Sequence, residues 1–114
     1  MDCKYLNSCG SCVLELSYDE QKELKIAKIK ELFDRFYSGE IEFFESSEVG
    51  FRSRAEFGIW HENGDISYSM RGRSSKKIEI DSCQIVDLKI SNLMPRLLNA
   101  IKDDEALINR LFGI

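Results

Sequence analysis

Residues 51–80 read FRSRAEFGIWHENGDISYSMRGRSSKKIEI, and the predicted fold follows from this stretch. Residues 51–59 alternate between two faces, which is the period of a β-strand. The Asn63-Gly64 step is a strong signal for a tight hairpin turn. Residues 66–70 then form the returning strand, and a second turn leads to a third strand at 76–80, with its isoleucines pointing inward. The stretch predicts a three-stranded antiparallel meander.

Apolar residues at helical spacing predict a helix on each side of the meander. The first covers residues 19–36, with Asp19 as its N-cap and Gly39 as a left-handed residue at its end. The second covers about residues 85–101, where Pro95 predicts either a kink or a regular helix that begins only near Ser91. A short last helix is expected just before the end of the chain, at residues 106–111.

The predicted fold class is α+β: a small antiparallel meander flanked by two main helices, with an N-terminal cysteine-rich tail. We expect the tail at residues 1–18 and the α+β region at 19–114. The sequence stops at Ile114 without a turn or polar tail, so we expect a cut through a longer protein. The open edge of the sheet would then be completed by further sequence or by a homodimer across it.

Composition limits the class of protein. The chain has 114 residues, 43% of them hydrophobic, and a net charge of −4, which predicts one folded domain and argues against a generic nucleic-acid-coating protein. No apolar run approaches the roughly 20 residues needed to cross a bilayer, and the N-terminus does not resemble a signal peptide. We therefore expect a cytoplasmic protein without membrane contact, whose cysteines are more often metal ligands than disulfides.

Four cysteines form the candidate metal site: Cys3, Cys9, Cys12 and Cys83. Three lie close together in the tail, and the fourth follows the third predicted strand, so a four-thiolate centre would join two separate pieces of chain. Zinc sites in small domains usually use two Cys-x2-Cys pairs, and this chain has only one. Three ligands on one loop with a fourth elsewhere favour a 4Fe–4S cube. Zinc and unligated structural thiols remain the alternatives. Gly10 would let the backbone approach the cluster with a positive φ.

A basic stretch suggests contact with phosphates, although residues 40–48 are acidic. Its cations are Arg52, Arg54, Arg71, Arg73, Lys76 and Lys77. On a strand, Arg52 and Arg54 would share one face and could grip phosphates or stack on bases. The alternative is that they pair with neighbouring carboxylates such as Glu56.

Residues 51–61, FRSRAEFGIWH, resemble the Y/F-R-x-R-A-x-F-x-I-W-H segment of the tRNA uracil-5-methyltransferase family. Residues 76–83 are similar to the strand and cysteine step that follow it there, and residues 109–114 are similar to the family's K-L-F-x-I stretch. The tail cysteines match the cluster motif of many relatives, including ribosomal RNA uracil methyltransferases. The resemblance covers essentially the whole chain.

The resemblance implies an S-adenosylmethionine-dependent enzyme that methylates carbon 5 of uridine in RNA, with tRNA favoured over ribosomal RNA. A cysteine nucleophile and a carboxylate base would lie in a later Rossmann-like domain that also binds the cofactor, so no catalytic residue is expected here. His61 is expected to be a surface or capping residue. The arginine pair would contact RNA, and Phe112 would stack near the target uridine or pack the last helix. The competing hypotheses are a standalone iron–sulfur protein and a zinc-stabilised adaptor.

Overall fold

The computed structural model describes residues 2–114. Its elements, in chain order, are α1 at Tyr18–Phe33, β1 at Gly58–Glu62, β2 at Asp65–Arg71, β3 at Lys77–Ile80, α2 at Leu88–Ile101 and α3 at Glu105–Arg110. An antiparallel sheet with separate helices confirms the predicted α+β class. None of the helices in this part of the chain has the length and apolar character that a membrane crossing requires.

The sheet is the predicted meander, with its strands in the order β1-β2-β3 and both pairs antiparallel. Glu62 pairs with Asp65 across the first hairpin, so Asn63 and Gly64 form a two-residue turn. Both have a positive φ, of 50° and 82°. A type I′ turn needs this conformation at both central residues, and asparagine followed by glycine adopts it at low cost. The hairpin prediction is therefore confirmed.

The first strand is shorter than predicted, because it begins at Gly58 instead of Phe51. Residues 50–52 run beside the loop that follows β3. The Arg52 amide donates to the Ile85 carbonyl at 2.8 Å, and the Asp87 amide donates to the Arg52 carbonyl at 2.7 Å. Alternation of side chains is common to all extended backbone and does not specify the partner. The prediction that Arg52 and Arg54 lie on a sheet strand was wrong.

The core lies between the sheet and α2. Its buried cluster consists of Phe57, Ile59, Tyr68, Ile80, Val86 and Met94. Tyr68 is only 1% exposed, its hydroxyl donates to the Met94 carbonyl at 2.7 Å, and its ring centroid lies 5.5 Å from that of Phe57. One side chain therefore joins the central strand to α2 by both packing and a hydrogen bond.

The helix ends differ from the predictions in detail. Ser17, not Asp19, caps α1, and its side chain and Glu20 form a capping box that satisfies two amides at once. The helix ends at Phe33, and Gly39 lies beyond it without a positive φ. Asp87 caps α2, which begins at Leu88 and continues through Pro95, so of the two expected outcomes, a kink at Pro95 or a start near Ser91, the later start was wrong.

The outer edge of β1 is occupied by the end of the chain. The Phe57 amide donates to the Ile114 carbonyl at 2.7 Å, and the Ile114 amide donates back to Phe57 at 2.9 Å. The Ile59 amide donates to the Phe112 carbonyl at 2.9 Å. We expected an open sheet edge that further sequence or a second copy would complete, without knowing which edge it would be. A dimer across it would first have to displace these bonds.

Candidate metal centre

All four cysteines line one cavity of about 60 Å³ beside the sheet. Each is partly buried, and none forms a disulfide. The tail contributes three of them, and the loop after β3 contributes Cys83. The two pieces of chain expected to form one centre are therefore adjacent in the fold. Apolar side chains of the core, among them Phe57 and Ile80, form the inner wall of the cavity.

The cysteine loop of the tail is held by backbone contacts to the turn between β2 and β3. Cys9 bridges Gly72, and the Gly10 amide donates to the Arg71 carbonyl at 2.9 Å. A Cβ at Gly10 would lie 2.9 Å from that carbonyl oxygen, and one at Gly72 would lie 2.6 Å from the Lys76 carbonyl oxygen. The expected positive φ at Gly10 is absent. Both glycines are needed because the two backbones approach each other closely.

A second attachment joins the start of the tail to the loop after β3. The Lys4 ammonium contacts the Asp81 carboxylate at 2.6 Å, and the Asp81 amide donates to the Tyr5 hydroxyl at 3.1 Å. Asp81, which makes both contacts, lies two residues before Cys83. The hydrogen bonds from Lys4 and then Ser82 lower the pKa of Asp81 to about 2.

This attachment is expected to weaken in acid. The folded pKa of Asp81 lies below its ordinary value of 3.8, so the stabilisation is present above that value and is lost as the pH falls through about 2. Both side chains are largely exposed, so the effect on stability is small. A carboxyl NMR titration measures the pKa directly, and K4M should move it back toward 3.8. An ordinary pKa in the unmodified chain would contradict the ion pair.

The thiols influence one another electrostatically. Burial has the largest effect and raises the pKa of the Cys12 thiol, and negative charge on Cys9, Cys83 and Cys3 raises it further. The Arg52 guanidinium, which also lines the cavity, acts in the opposite direction. The Ser11 amide donates to the Cys9 sulfur at 3.5 Å. Among residues 2–114, no group of three or more His, Cys, Asp or Glu side chains is arranged to hold a metal ion.

The predicted RNA-binding cations fall into two groups. Arg54 pairs with Glu56 at 2.7 Å and Arg73 with Glu15 at 2.8 Å, and Arg52 lines the cysteine cavity without a side-chain hydrogen bond or ion pair in the described part of the chain. The other three are exposed and make no side-chain hydrogen bond or ion pair within the described part of the chain; they are Arg71, Lys76 and Lys77. These three lie at the β2–β3 turn, next to the cysteine loop.

Phe112 lies at the opposite end of the sheet, and its side chain is 69% exposed. Its ring centroid is 5.2 Å from that of His61, and His61 Nε2 donates to the Leu111 carbonyl at 2.6 Å. Phe112 therefore does not pack the end of α3 as a buried residue would. His61 was expected to be a surface or capping residue, and its bond is to the carbonyl of Leu111, the C-cap residue of α3; the sequence did not indicate which segment it would contact. Nothing in the local pattern marks a contact between residues 50 positions apart.

Comparison with known proteins gives consistent matches along the chain. A family model described as tRNA (Uracil-5-)-methyltransferase matches residues 17–114. The chain is 51% identical over 115 residues to a "tRNA/tmRNA (uracil-C(5))-methyltransferase" of Campylobacter concisus, covering 100% of this chain and 31% of that protein. Proteins of the same description from Campylobacter hominis and Nautilia profundicola are 46% and 42% identical, again over 100% of this chain and 32% of their own lengths. The chain spans about a third of the length of these relatives.

Proposed function

Because this chain belongs to the tRNA (uracil-5-)-methyltransferase family, we propose that it is the N-terminal RNA-recognition portion of an S-adenosylmethionine-dependent enzyme that methylates carbon 5 of a uridine in tRNA. The observation that carries this proposal is the match of the whole chain to proteins named as tRNA/tmRNA methyltransferases. Such an enzyme would work in the cytoplasm, where its thiols stay reduced.

We assign the chemical step to the two-thirds of the relatives' length that this chain does not cover. Methylation of uracil at carbon 5 needs a thiolate that adds to carbon 6, a methyl donor and a base that removes the carbon-5 proton. The four cysteines here share one cavity with each other, so none is spare as that nucleophile. S-adenosylmethionine would bind outside these residues.

We further propose that the cysteine cavity holds a 4Fe–4S cluster, with Cys3, Cys9, Cys12 and Cys83 as its ligands. Four unpaired thiols around one cavity supply the donor set that such a cluster needs. The mutual repulsion of their thiolates would be relieved by iron cations, and the Ser11 amide at the Cys9 sulfur is the kind of hydrogen bond that stabilises ligated sulfur. A single zinc ion needs four ligands at one point, whereas three ligands on one loop and a fourth on a separate piece of chain suit a cube whose irons are spaced apart. The cluster would fix the tail at residues 1–18 against the α+β region at 19–114.

The RNA surface is assigned first to the three free cations of the β2–β3 turn, Arg71, Lys76 and Lys77. All three residues are exposed and lie close together in sequence, so they could contact neighbouring phosphates. Arg54 would contribute only where RNA displaces its ion pair with Glu56. Arg52 makes no side-chain hydrogen bond or ion pair within residues 2–114, and it is assigned to the cysteine cavity that it lines. Phe112 offers an exposed ring for stacking on an unpaired base.

This assignment predicts a change in the salt dependence of RNA binding. Replacing Arg71, Lys76 and Lys77 with glutamine should weaken binding to a T-arm hairpin RNA and reduce the slope of log K against log salt by roughly 2, since each lost phosphate contact contributes about 0.7–0.9. Fluorescence anisotropy over a range of salt concentrations measures both quantities. R54Q is the matched control, because its guanidinium is already paired with Glu56 and is expected to change the slope little. An unaltered slope in the triple variant would count against this surface.

A further inference from the structure

We infer that Arg73 is a positioning residue of the cysteine centre, and that its side chain holds the Cys9–Cys12 loop in place instead of contacting RNA. The inference rests on the proposed function, because it concerns the residues assigned to the cluster. Arg73 would therefore have a different role from the neighbouring cations of the β2–β3 turn, although the sequence predicts that all of them contact phosphates. The β2–β3 turn would then have two tasks: Arg73 holds the cysteine loop, and the free cations contact RNA.

The contacts of Arg73 reach both ends of the cysteine loop. Its backbone amide donates to the Ser8 carbonyl at 2.9 Å, just before Cys9. Its Nη2 donates to the Cys12 carbonyl at 3.1 Å, and its Nη1 contacts the Glu15 carboxylate at 2.8 Å. Arginine suits this task because its planar fork can bind two acceptors at once in a fixed geometry.

The same contacts make Arg73 a poor phosphate ligand. Its side chain is 34% exposed, and two of its guanidinium nitrogens already have oxygen partners. To bind RNA it would have to leave both Glu15 and the Cys12 carbonyl. Arg71 lies two positions earlier on the same turn, and its side chain makes no hydrogen bond or ion pair within residues 2–114. Of these two arginines, only Arg71 can therefore bind a phosphate without first breaking contacts within the chain.

Cys9 and Cys12 are held in place by different contacts. Cys9 is held directly by its bridge to Gly72, whereas Cys12 lies at the far end of the loop. The guanidinium bond to the Cys12 carbonyl is the hydrogen bond that ties this end of the loop to the β2–β3 turn. Loss of the bond would free Cys12 to leave a cluster. Removing a group that hydrogen-bonds to a metal-binding residue and holds it in position typically lowers metal affinity by about 10–100-fold.

The test uses the whole chain, loaded with iron and sulfide under anaerobic conditions. Cluster loss in the presence of an iron chelator is followed by the visible absorbance of the iron–sulfur chromophore and by iron content. R73Q is expected to lose the cluster roughly 10-fold faster or more. R73K should be intermediate, because an ammonium can satisfy one of the two acceptors well. E15Q should have a smaller effect, and R71Q is the control that should match the unmodified chain.

Two further readouts separate this role from a general structural one. T-arm hairpin affinity and its salt slope should change in R71Q and stay nearly unchanged in R73Q. In the iron-free chain, alkylation of Cys12 and hydrogen exchange at the Ser8–Cys12 amides should be faster in R73Q than in R71Q. If R73Q retains the cluster and its loop protection but loses RNA affinity, Arg73 is an RNA contact and the inference is overturned. If the unmodified chain takes up no cluster, that part of the proposed function fails, and the iron-free measurements still decide whether Arg73 holds the loop.

Discussion

If the proposed cluster forms, C83S is expected to abolish it and to reduce bound iron from about four atoms per chain to almost none. Cys83 is the one thiol of the cavity that does not come from the tail, so its loss removes both a ligand and the link between two pieces of chain. Ligation stabilises the folded state by about 4 kcal/mol when ligand is present at a thousandfold excess over Kd. For a domain of this size, that corresponds to a fall in Tm on the order of 10 °C or more. Iron analysis and thermal unfolding measure the two effects.

The iron-free chain is the control for this experiment. Without metal, C83S and the unmodified chain should unfold at nearly the same temperature, because Cys83 is only partly buried and serine is similar in size. The difference should therefore appear only after loading with iron. A C83S chain that keeps a full complement of iron would show that Cys83 is not a ligand. Zinc in place of iron in the unmodified chain would exclude the cluster.

Y68A is expected to bring the fold close to unfolding. Truncating a fully buried aromatic residue typically costs about 3–5 kcal/mol, because packing is lost and a cavity remains. Domains of this size have a total stability of only about 5–15 kcal/mol. Tyr68 contacts Phe57 and donates to the Met94 carbonyl, so its loss loosens the sheet and α2 together. Urea unfolding followed by circular dichroism measures the change.

Y68F is the matched variant for the hydroxyl alone. It keeps the ring and removes the hydrogen bond to Met94, which should cost about 0.5–1.5 kcal/mol. The difference between Y68A and Y68F then reports the packing of the ring. If Y68A costs less than Y68F is expected to cost, the assigned core around Phe57 and Met94 is wrong.

The meander could be predicted because its cues are local. The Asn63-Gly64 turn requires two positive φ angles, and few other dipeptides accept them easily. The alternation of apolar and polar residues at 76–80 predicts that its isoleucines point inward, and Ile80 is only 5% exposed. Neighbouring residues supply both cues, so no tertiary information is needed to use them.

The start of the first strand could not be predicted in the same way. Phe51 and its neighbours have the alternation of a strand, yet the Arg52 backbone bonds to the loop after β3. Which backbone an extended segment joins depends on where the rest of the chain lies. Similarly, cysteine spacing indicated a shared centre, but only the fold places Cys83 beside the tail.

The amino-acid pattern was sufficient for the type and order of the elements, the hairpin and the family resemblance, and it named four candidate ligands, because these depend on neighbouring residues or on short motifs. The tertiary structure alone distinguished the free cations from the occupied ones. Arg73 and Arg71 are alike in sequence context, but Glu15, which lies 58 positions from Arg73, reaches only Arg73. An ion pair depends on distance in space, and distance in space between remote residues is set by the packing of the whole chain.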